Sequence, residues 1–237
     1  MLVKTKAIVI SALKYQEKSL IVRCFTLSGG LKSYFVPNAF AAKKSNQKIA
    51  YFQPLTLLEI EASHKNKGTL EYFKEIKLAT AYQSLNTDII KSTIAIFLSE
   101  MLHHSIREEE KNERLFEFLE TSLLWLDTHR EVANFHLIFL LEITKFLGFY
   151  PDVSELDLPF FEMTEGIFSN LPSLSCLSEN ETVLFKRLIT LKFDSDQKVF
   201  TANDRQLLLK TLLDYYTFHL EGFKKPKSLE VLKEVFA

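Results

Sequence analysis

Ser19-Leu20-Ile21-Val22-Arg23-Cys24-Phe25-Thr26-Leu27 runs into Ser28-Gly29-Gly30 and straight on into Leu31-Lys32-Ser33-Tyr34-Phe35-Val36. Leu, Ile, Val, Phe and Thr fit a pleated, half-buried surface. A Gly-Gly pair between two such runs marks a hairpin turn. Pro37 has no N–H and blocks further ladder pairing. Upstream, Ala7-Ile8-Val9-Ile10 opens another β-rich run that ends near Leu13-Lys14-Tyr15. Downstream, the polar stretch 38–48, with Lys43, Lys44 and Lys48, reads as an exposed loop. A long apolar run over 49–62, broken by Gln53-Pro54, then leads through a connection at 63–68 into a last strand over 69–78. Five short strands with no long helix among them predict a small barrel or sandwich.

Near Asn86 the apolar spacing changes to steps of three and four, the period of a helix. Ile89, Ile90, Ile94, Phe97, Leu98, Met101 and Leu102 predict a helix over 88–106. Leu115, Phe116, Leu119, Leu123, Leu124 and Leu126 predict another over 112–128. A third is expected over 131–148, with Gly148 as its stop. Pro151, Pro159 and Pro172 mark an irregular connection over 150–178. Ser178 with Glu181 predicts a capping box for a helix to Leu191, and Asn203 with Gln206 predicts one for a helix over 204–220. Leu208, Leu212, Tyr215 and His219 would form its buried stripe, and a last short helix is expected over 227–236. The expected architecture is α+β in two domains: a β domain over 1–80 and an all-α helical domain over 81–237.

The chain has 237 residues, 47% hydrophobic and 25% charged, which excludes disordered, collagen-like and coiled-coil classes. Its apolar runs fall far short of the roughly 20 residues that a bilayer span requires, so no membrane partner is expected. The opening residues carry Lys4 and Lys6 without the apolar block of a signal peptide. Cys24 and Cys176 are the only cysteines, which suits a reducing cytoplasm and denies a disulfide framework. The net charge of −1 hides an asymmetry: +8 up to Thr80 and −9 from Ala81 onward. A basic first domain attracts polyanions and an acidic second one does not. The plain alternative is a chance division of solvated surface charge.

Active-site chemistry is missing from the sequence. Gly-rich phosphate loops and a GxSxG elbow are absent, and neither cysteine has a His at an activating spacing. His103 and His104, about 100° apart on a helix, read as a solvated or half-buried pair. His136 and His219 read as core histidines. Glu108-Glu109-Glu110, beside Arg107, Lys111 and Arg114, reads as a solvated face or loop. No catalytic residue, cofactor or metal is assigned. Cations do, however, recur beside aromatic rings: Lys14-Tyr15, Arg23 with Phe25, Lys32 with Tyr34 and Phe35, and Lys43, Lys44 and Lys48 before Tyr51-Phe52. Cations neutralise phosphates and release counterions, while exposed rings stack unpaired bases. Alternate strand residues face inward, so one of Tyr34 and Phe35 is expected to be buried. The candidate nucleic-acid contacts are Lys14, Arg23, Lys32, Lys43, Lys44 and Lys48, with Tyr34 offered as a stacking platform.

Several of these segments together resemble the bacterial recombination mediator family RecO. The opening Lys6-Ala7-Ile8-Val9-Ile10, then Tyr15 and Glu17-Lys18-Ser19-Leu20-Ile21-Val22, is similar to the family's first strand and turn. Phe25-Thr26 with Gly29-Gly30-Leu31 resembles its second hairpin, and Lys43-Lys44-Ser45 before Phe52-Gln53-Pro54-Leu55 its basic loop and following strand. Phe146-Leu147-Gly148-Phe149-Tyr150-Pro151, Asp214-Tyr215-Tyr216 with His219-Leu220, and Lys227-Ser228-Leu229 match its second half in order. The resemblance implies an N-terminal five-stranded OB-fold barrel and a C-terminal helical domain. It also implies binding to single- and double-stranded DNA, annealing of complementary strands, and no catalysis. The partners implied are RecR, the recombinase RecA and the tail of single-strand-binding protein. Many members carry a four-cysteine zinc site after the Leu-Gly helix end. Here 152–178 holds only Cys176, so no zinc site is expected. Leu156, Leu158, Phe160, Phe161, Ile167 and Phe168 are expected to hold that connection instead. The competing reading is a protein–protein adaptor with no nucleic-acid role.

Overall fold

One strand, β1 (Leu2–Tyr15), is long enough to serve two neighbours. Its first half pairs with β4 (Leu57–Ser63) and its second half with β2 (Ser19–Thr26), both antiparallel. A bulge between Val9 and Ser11 bends β1 where the partners change over. An extra residue there increases local twist and lets a sheet curl. Outside these lie β3 (Gly30–Val36) against β2 and β5 (Tyr72–Leu78) against β4, giving the order β3-β2-β1-β4-β5. The computed structural model describes residues 1–40, 49–65, 69–107, 109–195 and 197–236. Lys43, Lys44 and Lys48, most of the expected 38–48 loop, part of the 63–68 connection and Glu108 lie outside the described residues.

Strand alternation fixes the interior. Val9, Val22, Cys24, Tyr34, Leu58 and Ile60 all point into one buried cluster, as period two requires. The two sheet edges meet at an isolated parallel bridge, Tyr34 to Glu71. There the Phe35 N–H donates to the Glu71 carbonyl at 2.9 Å, and the Glu71 N–H donates to Ser33 at 2.8 Å. The apolar run 49–62 is not one strand, because β4 begins only at Leu57. Pro54 cannot donate to a ladder, and the Thr56 hydroxyl turns back to the Gln53 carbonyl at 2.9 Å.

Helices α1 (Ile89–Ser105) and α2 (Glu113–Thr128) pack on the other face of this sheet. Phe25 stacks on Phe116 at 6.3 Å, the Ser99 hydroxyl donates to the Ile10 carbonyl at 2.6 Å, and Lys6 pairs with Glu120 at 2.8 Å. Asp88 caps α1 by accepting from the Ile90 and Lys91 N–H groups. By composition the chain divides at residue 80. By packing it divides into Met1–Thr128 and His129–Ala237.

The second unit holds α3 (Phe135–Leu147), α4 (Glu179–Thr190), α5 (Ala202–His219) and α6 (Leu229–Val235), with a short 3-10 turn at Gln197–Val199. Gly148 ends α3 in the left-handed region at φ 84°, where glycine has no Cβ penalty. The Ser178–Glu181 capping box closes the start of α4. For α5 the expected cap moves: Thr201 with Asp204, not Asn203 with Gln206, makes the box. Thr201 has the extended backbone a cap needs, so the helix starts at Ala202.

The connection 150–178 is also more regular than expected, and the unit is not purely α. Strands β6 (Phe160–Glu162) and β7 (Ile167–Ser169) form a small hairpin, too short for alternation to show in the sequence. Phe161 and Phe168 are buried while Ile167 is exposed. Phe161 lies 5.0 Å from Phe168, 4.6 Å from Phe185 and 5.7 Å from Tyr215. A side chain on Gly166 would reach the Tyr215 hydroxyl. His219 stacks on Phe149 at 5.2 Å and hydrogen-bonds the Met163 carbonyl at 2.9 Å. Among the described residues no group of three or more His, Cys, Asp or Glu converges as metal ligands, and no helix is long and apolar enough to cross a membrane.

Candidate nucleic-acid interface

The open end of the outer sheet face carries a row of rings. Because Tyr34 and Phe73 face inward, their neighbours Phe35 and Tyr72 face out. Tyr15, at the end of β1, meets Phe35 edge-on at 6.1 Å, and Phe35 meets Tyr72 edge-on at 5.9 Å. Tyr15 is 43% exposed and Tyr72 46%. Ile21 pairs in register with both Phe35 and Leu13, which continues the apolar strip. Cations flank the row: the Lys65 ammonium lies 5.8 Å from the Tyr72 ring centre, and the Lys14 ammonium lies 5.8 Å from that of Phe40. The Phe40 N–H donates to the Lys18 carbonyl at 3.2 Å, which pins the segment leaving β3 against the β1–β2 turn.

Charge is unevenly compensated over the β module. Lys4 and Lys74 share Glu61 at 3.4 and 2.9 Å, Lys6 meets Glu120, and Lys77 meets Glu75 at 2.8 Å. Among the described residues, Lys14, Lys18 and Lys65 form no ion pair. Uncompensated positive charge among the described residues therefore lies at Lys14 and Lys18 around the β1–β2 turn and at Lys65 after β4, beside the exposed rings, and also at Arg23 and Lys32, which donate only to backbone carbonyls.

The four sequence-derived contacts among the described residues fall into three groups. Lys14 is exposed beside the ring row. Tyr34 is corrected: it is fully buried, hydrogen-bonded to His64 at 2.7 Å and stacked on Phe73 at 4.1 Å. Burial pushes its phenol well above the usual range, and its ring is closed to a base. Arg23 and Lys32 line a separate cleft of about 730 Å³, together with His64, Glu71 and Glu109. Arg23 donates to the His103 carbonyl at 3.4 Å, and Lys32 donates to the Glu109 carbonyl at 3.5 Å. Burial lowers the pKa of Arg23, and the Glu109 charge works against that. His103 is held below its ordinary pKa by burial first and by Arg23 second.

Phe35, Tyr72 and Lys65 stand at the candidate interface but are not among the sequence-derived contacts. The signal for Phe35 was present, since burial of Tyr34 forces its neighbour outward. Tyr72 follows the same rule from Phe73. Their meeting across β3 and β5 joins residues distant in sequence, and no local pattern records it.

Residues 1–82 match the family model of the recombination protein O N terminal, and residues 86–230 match that of its C terminal. The chain is 70% identical over 238 residues to the DNA repair protein RecO of Flavobacterium psychrophilum, and 68% identical over 237 residues to that of Flavobacterium johnsoniae. It is 38% identical over 243 residues to the DNA repair protein RecO of Bacteroides fragilis, and in all three cases 100% of both chains is covered. With both family models matched in order and relatives aligned along their whole length, this chain belongs to the RecO family of DNA repair and recombination proteins.

Proposed function

We propose that this protein is a non-catalytic recombination mediator of the cytoplasm that binds single- and double-stranded DNA and anneals complementary strands. It would help to load recombinase together with a RecR-type partner. Residues 1–80 are read as an OB-fold barrel, the β1 strand serving both halves and the Tyr34–Glu71 bridge joining the edges. OB-folds bind oligonucleotides on their β2–β3 face and on the β1–β2 and β4–β5 loops. The observation that carries the reading is the Tyr15–Phe35–Tyr72 row with Lys14 and Lys65 beside it. Rings there accept unpaired bases, and the cations draw in phosphates from two strands and lower the repulsion that slows their pairing. Lys43, Lys44 and Lys48 are proposed to extend the phosphate track. The acidic helical region is a poor surface for DNA and is assigned to protein partners, including the tail of single-strand-binding protein.

Fluorescence anisotropy with a labelled oligonucleotide at two salt concentrations tests this. Binding that weakens steeply with salt is the expected outcome. No binding at low salt would leave only a protein–protein adaptor.

A further inference from the structure

The seam between the sheet edges opens just beyond the Tyr34–Glu71 bridge. One more step of a parallel ladder needs an N–H at residue 37, and Pro37 has none. At that point lies a groove of about 330 Å³, walled by Phe35, Pro37, Tyr51, Phe52, Phe73 and Lys74 among others. Phe52 and Phe73 lie nearly parallel at 5.7 Å, and Tyr34 covers one face of Phe73 at 4.1 Å. Lys74 is the residue that the bulge in the β4–β5 ladder leaves without a register partner. Its ammonium meets Glu61 at 2.9 Å.

We propose that this groove receives one unpaired nucleobase from a strand lying across Tyr15, Phe35 and Tyr72. The inference rests on the DNA-binding reading above and adds the means by which single strands are told from duplex. Phe35 belongs to both the ring row and the groove, so a strand on the row passes the groove's mouth. The volume lies at the lower end of small-ligand pockets, about 300–1,000 Å³, which suits one flat ring system. Ring walls hold any base by its π face, without reading its sequence. The net charge of +8 over residues 1–80 favours a nucleic acid over an acidic-poor apolar peptide. A paired base cannot enter without leaving its stack, which costs free energy that a single strand does not spend.

The test uses the full chain and short oligonucleotides carrying one 2-aminopurine, as single strand and as duplex. Saturation of the single strand is expected to quench the 2-aminopurine as it stacks in the groove. Tyr51→Leu, which keeps apolar volume and removes one of the groove's rings, should raise the emission and weaken single-strand binding about tenfold. The ratio of single- to double-strand affinity should fall with it. Tyr51→Phe, which keeps the ring, should retain the quenching. Unquenched emission with the unaltered protein overturns the groove assignment, whatever the variants do. Equal loss on both DNA forms in a folded Tyr51→Leu protein overturns it as well. If the unaltered protein binds neither form, the DNA-binding reading falls and the groove assignment falls with it.

Discussion

Asp127 stands at the end of α2, and its carboxylate accepts N–H bonds from Gln83, Ser84 and Leu85 at 2.9, 2.8 and 2.8 Å. Burial works to raise its pKa, but these three donors and the Lys91 ammonium hold it below the usual carboxylate range. Lys91, itself buried, donates to the Ser84 hydroxyl at 2.6 Å and to the Asp127 carbonyl at 2.7 Å. Asp127→Ala would leave three backbone donors unpaired beside a buried ammonium. The expected cost is about 3 kcal/mol, read as a lower urea midpoint at unchanged slope. His136 sets an acid limit instead. It is buried on α3, its ring 5.0 Å from that of Phe236, and burial, followed by the Arg205 charge, pushes its pKa down to about 3. The unfolded chain takes up this proton near the ordinary value of about 6.5, while the folded chain does not. Its effect on stability is therefore nil above that value and grows as pH falls toward 3, at up to about 1.4 kcal/mol per pH unit. His136→Leu should flatten the fall in urea midpoint below about pH 6.5 and leave its pH dependence above that value unaltered.

Among the elements, β3 does two jobs with adjacent residues: Tyr34 closes the interior and Phe35 faces the ring row. The connection between α1 and α2 borders the basic cleft. Read from sequence, its acidic run is a solvated loop. In the fold, Glu109 lines the same cleft as Arg23 and Lys32, and its carbonyl accepts from Lys32. A carboxylate there competes with a phosphate for the same two cations. Glu109→Gln is expected to raise DNA affinity a few-fold at low salt, with the gain shrinking as salt screens the site. Anisotropy titrations of both proteins across a salt series measure this, and equal affinities at low salt would remove Arg23 and Lys32 from the DNA track.

For the molecule as a whole, net charge matters less than where that charge is already matched. Lys4, Lys6, Lys74 and Lys77 each meet a glutamate, so they offer little free charge to neutralise phosphates and displace the counterions condensed on DNA. Substituting Lys77 with Ala should therefore leave the salt dependence of binding nearly unaltered. Lys43→Ala/Lys44→Ala should reduce the slope of log affinity against log salt by about 1.4 on single strands, about 0.7 for each phosphate that is no longer neutralised. An unaltered slope in that variant would reject both lysines as phosphate ligands.

The helices were the most legible part of the chain. Gly148 and the Ser178–Glu181 pair mark ends that depend only on neighbours three or four residues away. The strands were legible from composition and from Gly29-Gly30, and Pro37 marked the end of β3. The shift of the α5 cap to Thr201 was not, because several nearby polar residues could supply a cap, and the small hairpin at 160–169 was not, because its strands are too short for alternation to show. The family itself was readable as an ordered series of local motifs. Side-chain period gave two alternative faces for β3, and packing against Phe73 and His64 chose between them. Likewise, sequence counts charges, but ion pairing across strands and helices settles which of them stay open to a polyanion, because Coulomb attraction acts through space and not along the chain.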